Sequence, residues 1–507
     1  MKMNNILEML EKSASVYPDK TAVREGESSL SYMELLYKSK KAGTALLGII
    51  EHGSPVGVYM EKGISALCSF FGIVYAGGFY SMLNNELPDK RLQQIVSVLE
   101  AKTVITTKEL FEKAQGIFSD VRILTIEELM QHEPDEKALA AERTKSIDTD
   151  PLYVNFTSGS TGTPKGIAVA HRSVIDFISC FTDIFSINDK DIIANQAPFD
   201  FDVSVKDIYS SLYVGAALVI VPRQLFSEPV RLIDLLCENK VTTLVWAVSA
   251  LCLVSTFHAL DYKTPDTINK VLFSGEVMPY KHLCQWRNKL PDSMFVNLYG
   301  PTEITCNCTF HILEKDRDYS EYIPIGRPFP NEDVFLLDSD NKKVTEKGVR
   351  GMIAVRGTAL ALGYYGMPEK TSECFVQNPL NTRYPETIYL TGDLGMYDEN
   401  GELRFCGRTD NQVKYMGHRI ELEEVERAMN AIEGVERSVC VFDEPKQRLK
   451  GFYVGTIDKN ELYTVMRDTM PAFMVPGYLR QIEEVFLTKN GKLDRKKTIE
   501  MIGGKKS

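Results

Sequence analysis

Between Tyr153 and Gly166 the chain reads YVNFTSGSTGTPKG, an apolar run that passes into hydroxyl-bearing residues and glycines and then into a lysine. Small residues such as Gly159 and Gly162 let backbone N–H groups close on an anion, and Thr157, Ser158, Ser160, Thr161 and Lys165 add further donors. That combination is a cradle for phosphate oxygens. It differs from the common nucleotide loop, whose lysine follows a glycine and precedes Ser or Thr, because Lys165 lies between Pro164 and Gly166. Four later stretches carry residues suited to the same kind of ligand. NLYGPTE (297–303) ends in Glu303, an oxygen donor of the sort a hard cation takes. YLTGD (389–393) ends in Asp393, whose two oxygens can accept from neighbouring hydroxyls. GRTDNQVKYMGHRIE (407–421) begins with the fixed cation Arg408 and carries Gly417, and NGKLDR (490–495) supplies Lys492, a point charge on a flexible stem. Read one at a time, each has an ordinary alternative: a flexible loop, a turn aspartate, a solvated lysine.

The elements that must position these loops follow a βαβα rhythm. An amphipathic helix opens the chain, and SYMELL places Ser31 and Glu34 as a capping box. Strands are expected at VGVYM, VITT, RILTI, IAVA, IIANQ, ALVIVP, TTLVW, KVLFSG and MFVNLYG, with helices over 171–185, 205–213 and 230–239, and with 133–145 as a charged connector. Alternation of this kind implies parallel sheets covered by helices, with ligands at the carboxyl ends of the strands. From about Ile325 the pattern turns to short alternating strands, read as a small β-barrel-like subdomain, and from Asn411 to a compact α+β segment. The fold class is therefore α/β, with a small α+β domain at the carboxyl end.

At 507 residues, 44% hydrophobic and 25% charged, the chain has the composition of a soluble globular protein, and its net charge of −11 argues against nucleic acid as the main partner. The longest apolar stretch, Ala66 to Tyr80, is interrupted by Ser69, Gly72, Gly77 and Gly78 and is too short to span a bilayer, so no membrane insertion is expected. The amino terminus lacks the apolar core of a secretory signal, and the ten cysteines are scattered without paired spacing, which points to a cytoplasmic protein. Cys306 and Cys308, without a second cluster, are a weak metal signal.

In their order and spacing, the five stretches resemble the adenylate-forming superfamily of acyl-CoA ligases, luciferases and nonribosomal peptide synthetase adenylation domains, and the resemblance covers nearly the whole chain. It implies a core over 1–409, with the β subdomain near 325–409, and a mobile carboxyl-terminal domain over 410–507. It also implies ATP and magnesium as cofactors. Tyr299 would lie against adenine, Thr302 on phosphate, Glu303 on the metal, and Asp393 with Arg408 on the ribose. Thr157 to Gly162 and Lys165 would hold the phosphates, and Lys492 would neutralise charge where a carboxylate attacks the α-phosphate. Such an enzyme joins a carboxylate to AMP with release of pyrophosphate and then transfers the acyl group to a thiol. Its carboxyl-terminal domain turns about a residue matching Asp410, bringing the MGHRIE loop with Gly417 to line a pantetheine tunnel.

The stretch APFDFDVSV (197–205) separates the subfamilies, since amino-acid-activating members carry an aspartate for the substrate ammonium and Asp202 matches it. Asp202 could instead cap the helix that follows. The corresponding pocket is Asp202, Val203, Lys206, Val245, Leu272, Ser274, Leu298, Cys306, Asn307 and Lys492. Leu272, Ser274 and Leu298 resemble pockets for small polar residues such as serine or cysteine, whereas Lys206 departs from that pattern and could meet an acidic side chain; D-alanine is also open. With no carrier domain after NGKLDR, the expected acceptor is phosphopantetheine on a separate carrier protein, with coenzyme A as runner-up. The readings set against this one are an acyl- or aryl-CoA ligase and a non-catalytic nucleotide-binding paralogue.

Overall fold

The computed structural model describes residues 3–159, 162–443 and 446–486, together with 495 and 497. Two compact units emerge, one made of 1–85, 96–155 and 166–409, the other of 86–95, 156–165 and 410–507. The division falls between Thr409 and Asp410, and it assigns the phosphate-loop segment to the second unit.

The first unit is built on two large sheets and a smaller one. The nine-stranded sheet runs Arg327–Pro328, Thr309–Ile312, Met294–Tyr299, Lys270–Ser274, Thr243–Ala247, Ile192–Asn195, Ala217–Ile220, Thr21–Glu25 and Ser28–Ser31, and its central strands are parallel. The seven-stranded sheet has Pro55–Tyr59, Phe79–Leu83 and Thr103–Thr106 as parallel neighbours. Strands such as Phe79–Leu83 and Lys270–Ser274 are buried at every position, as parallel strands covered on both faces should be. The ends of the helices follow local chemistry. Ser31 accepts from the Glu34 N–H at 3.2 Å while Glu34 accepts from the Ser31 N–H at 2.7 Å, so the capping box closes.

The charged connector over 133–145 contains a helix, Glu136–Arg143. Asp135 starts it by accepting from the N–H groups of Lys137 and Ala138, and strong helix formers continue it around one buried anchor, Leu139. A single apolar residue gives no readable period, which is why charge dominated the reading of that stretch.

The small sheet is six-stranded and antiparallel: Lys343–Val344, Glu332–Leu337, Arg350–Gly357, Thr387–Tyr397 and Phe375–Gln377, with Leu403–Arg408 on Thr387–Tyr397. A register shift between Asp393 and Gly395 lies beside the cross-strand pair Asp393 and Arg408, so the pleat sets an acid directly opposite a fixed cation. In the second unit a hairpin, Gln412–Tyr415 with His418–Glu421, leads into helix Leu422–Asn430, followed by the sheet Val435–Asp443, Arg448–Gly455 and Tyr478–Gln481. No helix among the described residues is long and apolar enough to cross a membrane.

Candidate active site

In the first unit, strand Met294–Tyr299 runs into Gly300 and Pro301 and then into the short turn Thr302–Ile304. The chain folds back hard here. A β-carbon on Gly300 would sit 2.5 Å from the Asn307 backbone, and Thr305 and Cys306 both take positive φ, at 49° and 76°. The fold-back holds Glu303 fully buried, where Tyr364 donates its hydroxyl to Oε1 at 2.8 Å. Tyr299 is also buried and donates its hydroxyl to Asp393 Oδ2 at 2.5 Å, while Arg408 forms an ion pair with the other oxygen of that carboxylate. Burial, and then the Asp393 charge, push the Tyr299 phenol well above its ordinary value, so it stays a hydroxyl donor. Tyr299, Asp393 and Arg408 thus form one connected group. Thr302 is half-buried in the turn that carries Glu303.

No group of three or more His, Cys, Asp or Glu side chains placed to hold a metal occurs among the described residues. A lone buried carboxylate still suits magnesium, which is commonly held by one or two carboxylates and the oxygens of a bound phosphate.

Of the described pocket residues, Asp202, Val203 and Lys206 lie at the head of helix Val203–Val214, and Val245, Leu272, Ser274 and Leu298 lie on neighbouring parallel strands. Val245 and Leu272 are register partners, and Leu298 and Cys306 belong to the same buried cluster as both. Asp202 occupies the N-cap position with helical dihedrals (φ −62°, ψ −21°), and its side chain makes no capping hydrogen bond. The helix-cap alternative therefore has no geometric basis here. Val203 lies buried beside it, and Cys306 Sγ donates to the Asp202 carbonyl at 3.2 Å. Lys206, one turn further along, donates to Asn307 Oδ1 at 2.7 Å and to Ser274 Oγ at 3.3 Å.

The stretch that carries Asp202 is held from behind by a lysine that no motif announces. Lys62 donates to the carbonyls of Gln196 (2.8 Å), Asn195 (3.3 Å) and Ala197 (3.4 Å) and to Asn195 Oδ1 (3.0 Å). Burial pulls its pKa down to about 7. Asp200 and Asp207 lie in its electrostatic reach, and burial pushes their carboxyls up to about 6 and about 8. Lys62→Met would strip these carbonyls of a charged donor, at about 1–3 kcal/mol for a buried group left unpaired. The expected result is a rise of at least about fivefold in the KM of the activated acid with the KM of ATP unchanged, read by steady-state kinetics.

In the second unit the phosphate loop meets carboxylates. The Gly159 N–H donates to Glu424 Oε2 at 2.9 Å, Lys165 Nζ pairs with Glu421 Oε1 at 3.1 Å, and Ser158 Oγ donates to the Arg419 carbonyl at 2.7 Å. A β-carbon on Gly159 would fall 1.9 Å from the Thr163 carbonyl oxygen, and Gly162 takes φ 84°, so both glycines are required by the turn. Thr157 Oγ1 is buried without a hydrogen-bond partner among the described residues. Two carboxyl groups therefore sit on donors of this loop. Ser160, Thr161 and Lys492 lie outside the described residues. Gly417 forms, with Met416, a two-residue hairpin turn in which both take positive φ, at 80° and 52°. Asp410 Oδ1 accepts from the Gln412 N–H at 3.2 Å at the start of this unit.

Arg91 supports the loop by pairing with Glu424 at 2.9 Å and reaching the Gly162 carbonyl at 3.4 Å. Burial raises the Glu424 carboxyl, and the Arg91 charge opposes that shift. A phosphate bound at the Gly159 N–H would displace Glu424, and on that reading Glu424→Gln, a weaker acceptor, should lower the half-saturating ATP concentration severalfold, about 1 kcal/mol in a nucleotide titration. Neither Arg91 nor Lys62 could be read from the sequence, because their partners lie far away in the chain. Tyr153, which opens the motif, read only as a strand residue, yet its hydroxyl is buried and has no hydrogen-bond partner among the described residues.

Comparison with known proteins gives the family. The chain is 32% identical to zwittermicin A synthase ZmaJ of Bacillus cereus over 99% of its own length and 95% of that protein's. It is 31% identical to tyrocidine synthase 1 of Brevibacillus parabrevis over 97% of its length, but spans only 44% of that longer relative. Among solved structures, that of IdnL1 superposes with a TM-score of 0.83 at 28% identity, covering 96% of this chain and 98% of that one. The model of the AMP-binding enzyme family matches residues 10–365. The chain therefore belongs to the AMP-binding enzyme family, as an adenylate-forming enzyme like the adenylation domains of nonribosomal peptide synthetases.

Proposed function

We propose that the protein activates an amino acid as its adenylate and passes the aminoacyl group to the phosphopantetheine thiol of a carrier protein. The observation that carries this reading is Asp202, an acid whose side chain does not cap its own helix and whose carbonyl accepts from Cys306, a member of the buried cluster that holds Val245, Leu272 and Leu298. A buried ammonium requires such a partner, whereas a fatty or aromatic acid has no use for it.

In the first half-reaction an oxygen of the substrate carboxylate bonds to the α-phosphorus of ATP while the bond to the pyrophosphate oxygen breaks. The protein's contribution is positioning and charge neutralisation, and no protein nucleophile is assigned. Asp393 and Arg408 take the ribose and Tyr299 faces the adenine. Thr302 and the 157–162 loop with Lys165 take the phosphates, and Lys492 offsets the charge that develops at the α-phosphate. Glu303 would hold a magnesium ion, whose charge offsets that of the phosphates. In the second half-reaction the thiol sulfur bonds to the acyl carbon and AMP leaves, with Gly417 lining the approach and Asp410 as the hinge.

ATP–pyrophosphate exchange across the proteinogenic amino acids and D-alanine, run beside fatty and benzoic acids, tests the substrate class. Exchange driven by amino acids is expected, whereas exchange driven only by fatty or aryl acids replaces this reading with a CoA ligase. Loading of a phosphopantetheinylated carrier protein, compared with free coenzyme A, tests the acceptor.

A further inference from the structure

We infer that the amino acid activated here carries an anionic side chain, of the aspartate or glutamate class, and that Lys206 is the residue that reads it. This rests on the amino-acid reading of the pocket above and narrows it. Three lysines among the described residues are fully buried, and they differ in one respect; Lys62, half-buried, also has neutral partners, but four of them against two for Lys206. Lys165 has Glu421 at 3.1 Å and Lys270 has Asp191 at 2.9 Å. Lys206, the most buried of the three at 1% exposure, has no carboxylate within ion-pair distance among the described residues. Its partners are the neutral oxygens of Asn307 and Ser274. An ammonium has three donors, so two neutral acceptors leave one N–H without an acceptor, and the charges of Asp202 and Asp207 reach it only from beyond ion-pair distance, in a place where water does not reach. A buried cation of this kind is expensive unless an anion arrives to meet it.

The position of Lys206 fixes what that anion would be. Asp202 and Lys206 are four residues apart at the start of one helix, hence on one face and about 5–6 Å apart at their β-carbons. One helix face thus offers a carboxylate and, a turn deeper, an ammonium, the complement of a substrate with an α-ammonium at one end and an acid at the other. Cys306 links the two sites, since its thiol donates to the Asp202 carbonyl and it is also in electrostatic reach of Lys206. The buried Tyr153 hydroxyl, in reach of both Cys306 and Asp202, has no hydrogen-bond partner among the described residues and supplies another donor to a polar guest. Desolvation lowers the Lys206 pKa, and a carboxylate guest would reverse that shift by stabilising the charged form. A pocket meant for serine, cysteine or alanine has no use for an ammonium at this depth.

The test is exchange measured with aspartate, glutamate, asparagine, glutamine, serine, cysteine and L- and D-alanine, for the wild type, Lys206→Met and Lys206→Arg. Wild type should prefer an acid over its own amide by at least about tenfold in kcat/KM. Lys206→Met should lose most of the activity with the acid and gain relative activity with the amide, and Lys206→Arg should restore part of the acid preference. A lysine that serves only to fill the core would leave the acid-to-amide ratio unchanged even if the variant were less stable. The wild-type panel alone decides the inference if the variants do not fold. Preference for a neutral amino acid overturns the role of Lys206 and leaves amino-acid activation intact, whereas exchange with no amino acid overturns the parent reading as well.

Discussion

Asp202→Asn should abolish exchange driven by the preferred amino acid while leaving ATP binding intact. The substitution keeps the shape of the side chain and removes only its charge, so the substrate ammonium would enter a buried site that holds no anion for it. Breaking one half of a buried pair costs about 3–5 kcal/mol, equivalent to a few hundred- to several thousand-fold in kcat/KM. A helix cap would respond otherwise, because asparagine caps nearly as well as aspartate and the variant would be almost silent. The structure separates these outcomes in advance, since the Asp202 side chain makes no capping bond. The deamino or hydroxy analogue of the substrate lacks the positive charge and should lose far less with the variant. Exchange is therefore to be measured for both proteins with the amino acid and with its analogue. An unchanged ratio between the two would remove the ammonium from the pocket and favour a CoA ligase.

The chemistry of this chain is legible in its sequence where a function is served by residues close together and by a turn that only certain residues can make. The 157–165 loop is of that kind: Gly159 is required because the Thr163 carbonyl leaves no room for a β-carbon. The Ser31–Glu34 box is another, since both of its bonds close within three residues. What could not be read depends on partners distant in the chain. The Arg91–Glu424 pair joins residues 333 positions apart, and neither residue has a local pattern around it. Lys62 resembles any charged residue at the start of a helix until the carbonyls of 195–197 are seen gathered on it. Some helices are faint in the sequence for a related reason. Tyr280–Lys289 buries only Leu283 and Trp286, so most of its surface is polar and its period is faint.

The pocket occupies a middle position. Aligned motifs are enough to nominate Lys206, but not to show that its partners are neutral whereas Lys165 and Lys270, also fully buried, each have a carboxylate. Burial and pairing are properties of the folded chain. They convert a departure from a family pattern into a statement about substrate charge.

Lys492→Ala should remove adenylate formation and spare thiol transfer. If Lys492 offsets the charge developing at the α-phosphate, its loss should cost about 2.7–4 kcal/mol, or about a hundred- to a thousandfold in kcat for exchange, by analogy with removal of one transition-state charge stabiliser. Arg495 is tied to Glu426 at 2.8 Å and Glu423 at 3.1 Å on helix Leu422–Asn430, and truncation of Lys492 removes neither ion pair. Transfer from a preformed aminoacyl-AMP to the carrier thiol makes no use of that charge and should proceed near the wild-type rate. The complementary variant must respect the hairpin. Leucine at 417 would be strained by the positive φ of that position whatever surrounds it, whereas asparagine tolerates the left-handed region and still adds bulk. Gly417→Asn should therefore slow carrier loading while exchange continues. Single-turnover loading from the isolated adenylate, measured beside pyrophosphate exchange for both variants, gives opposite patterns if the two half-reactions use different residues of this segment. Equal losses in both assays would mean that Lys492 and Gly417 serve one common geometry, and the alternation between half-reactions would have to be abandoned.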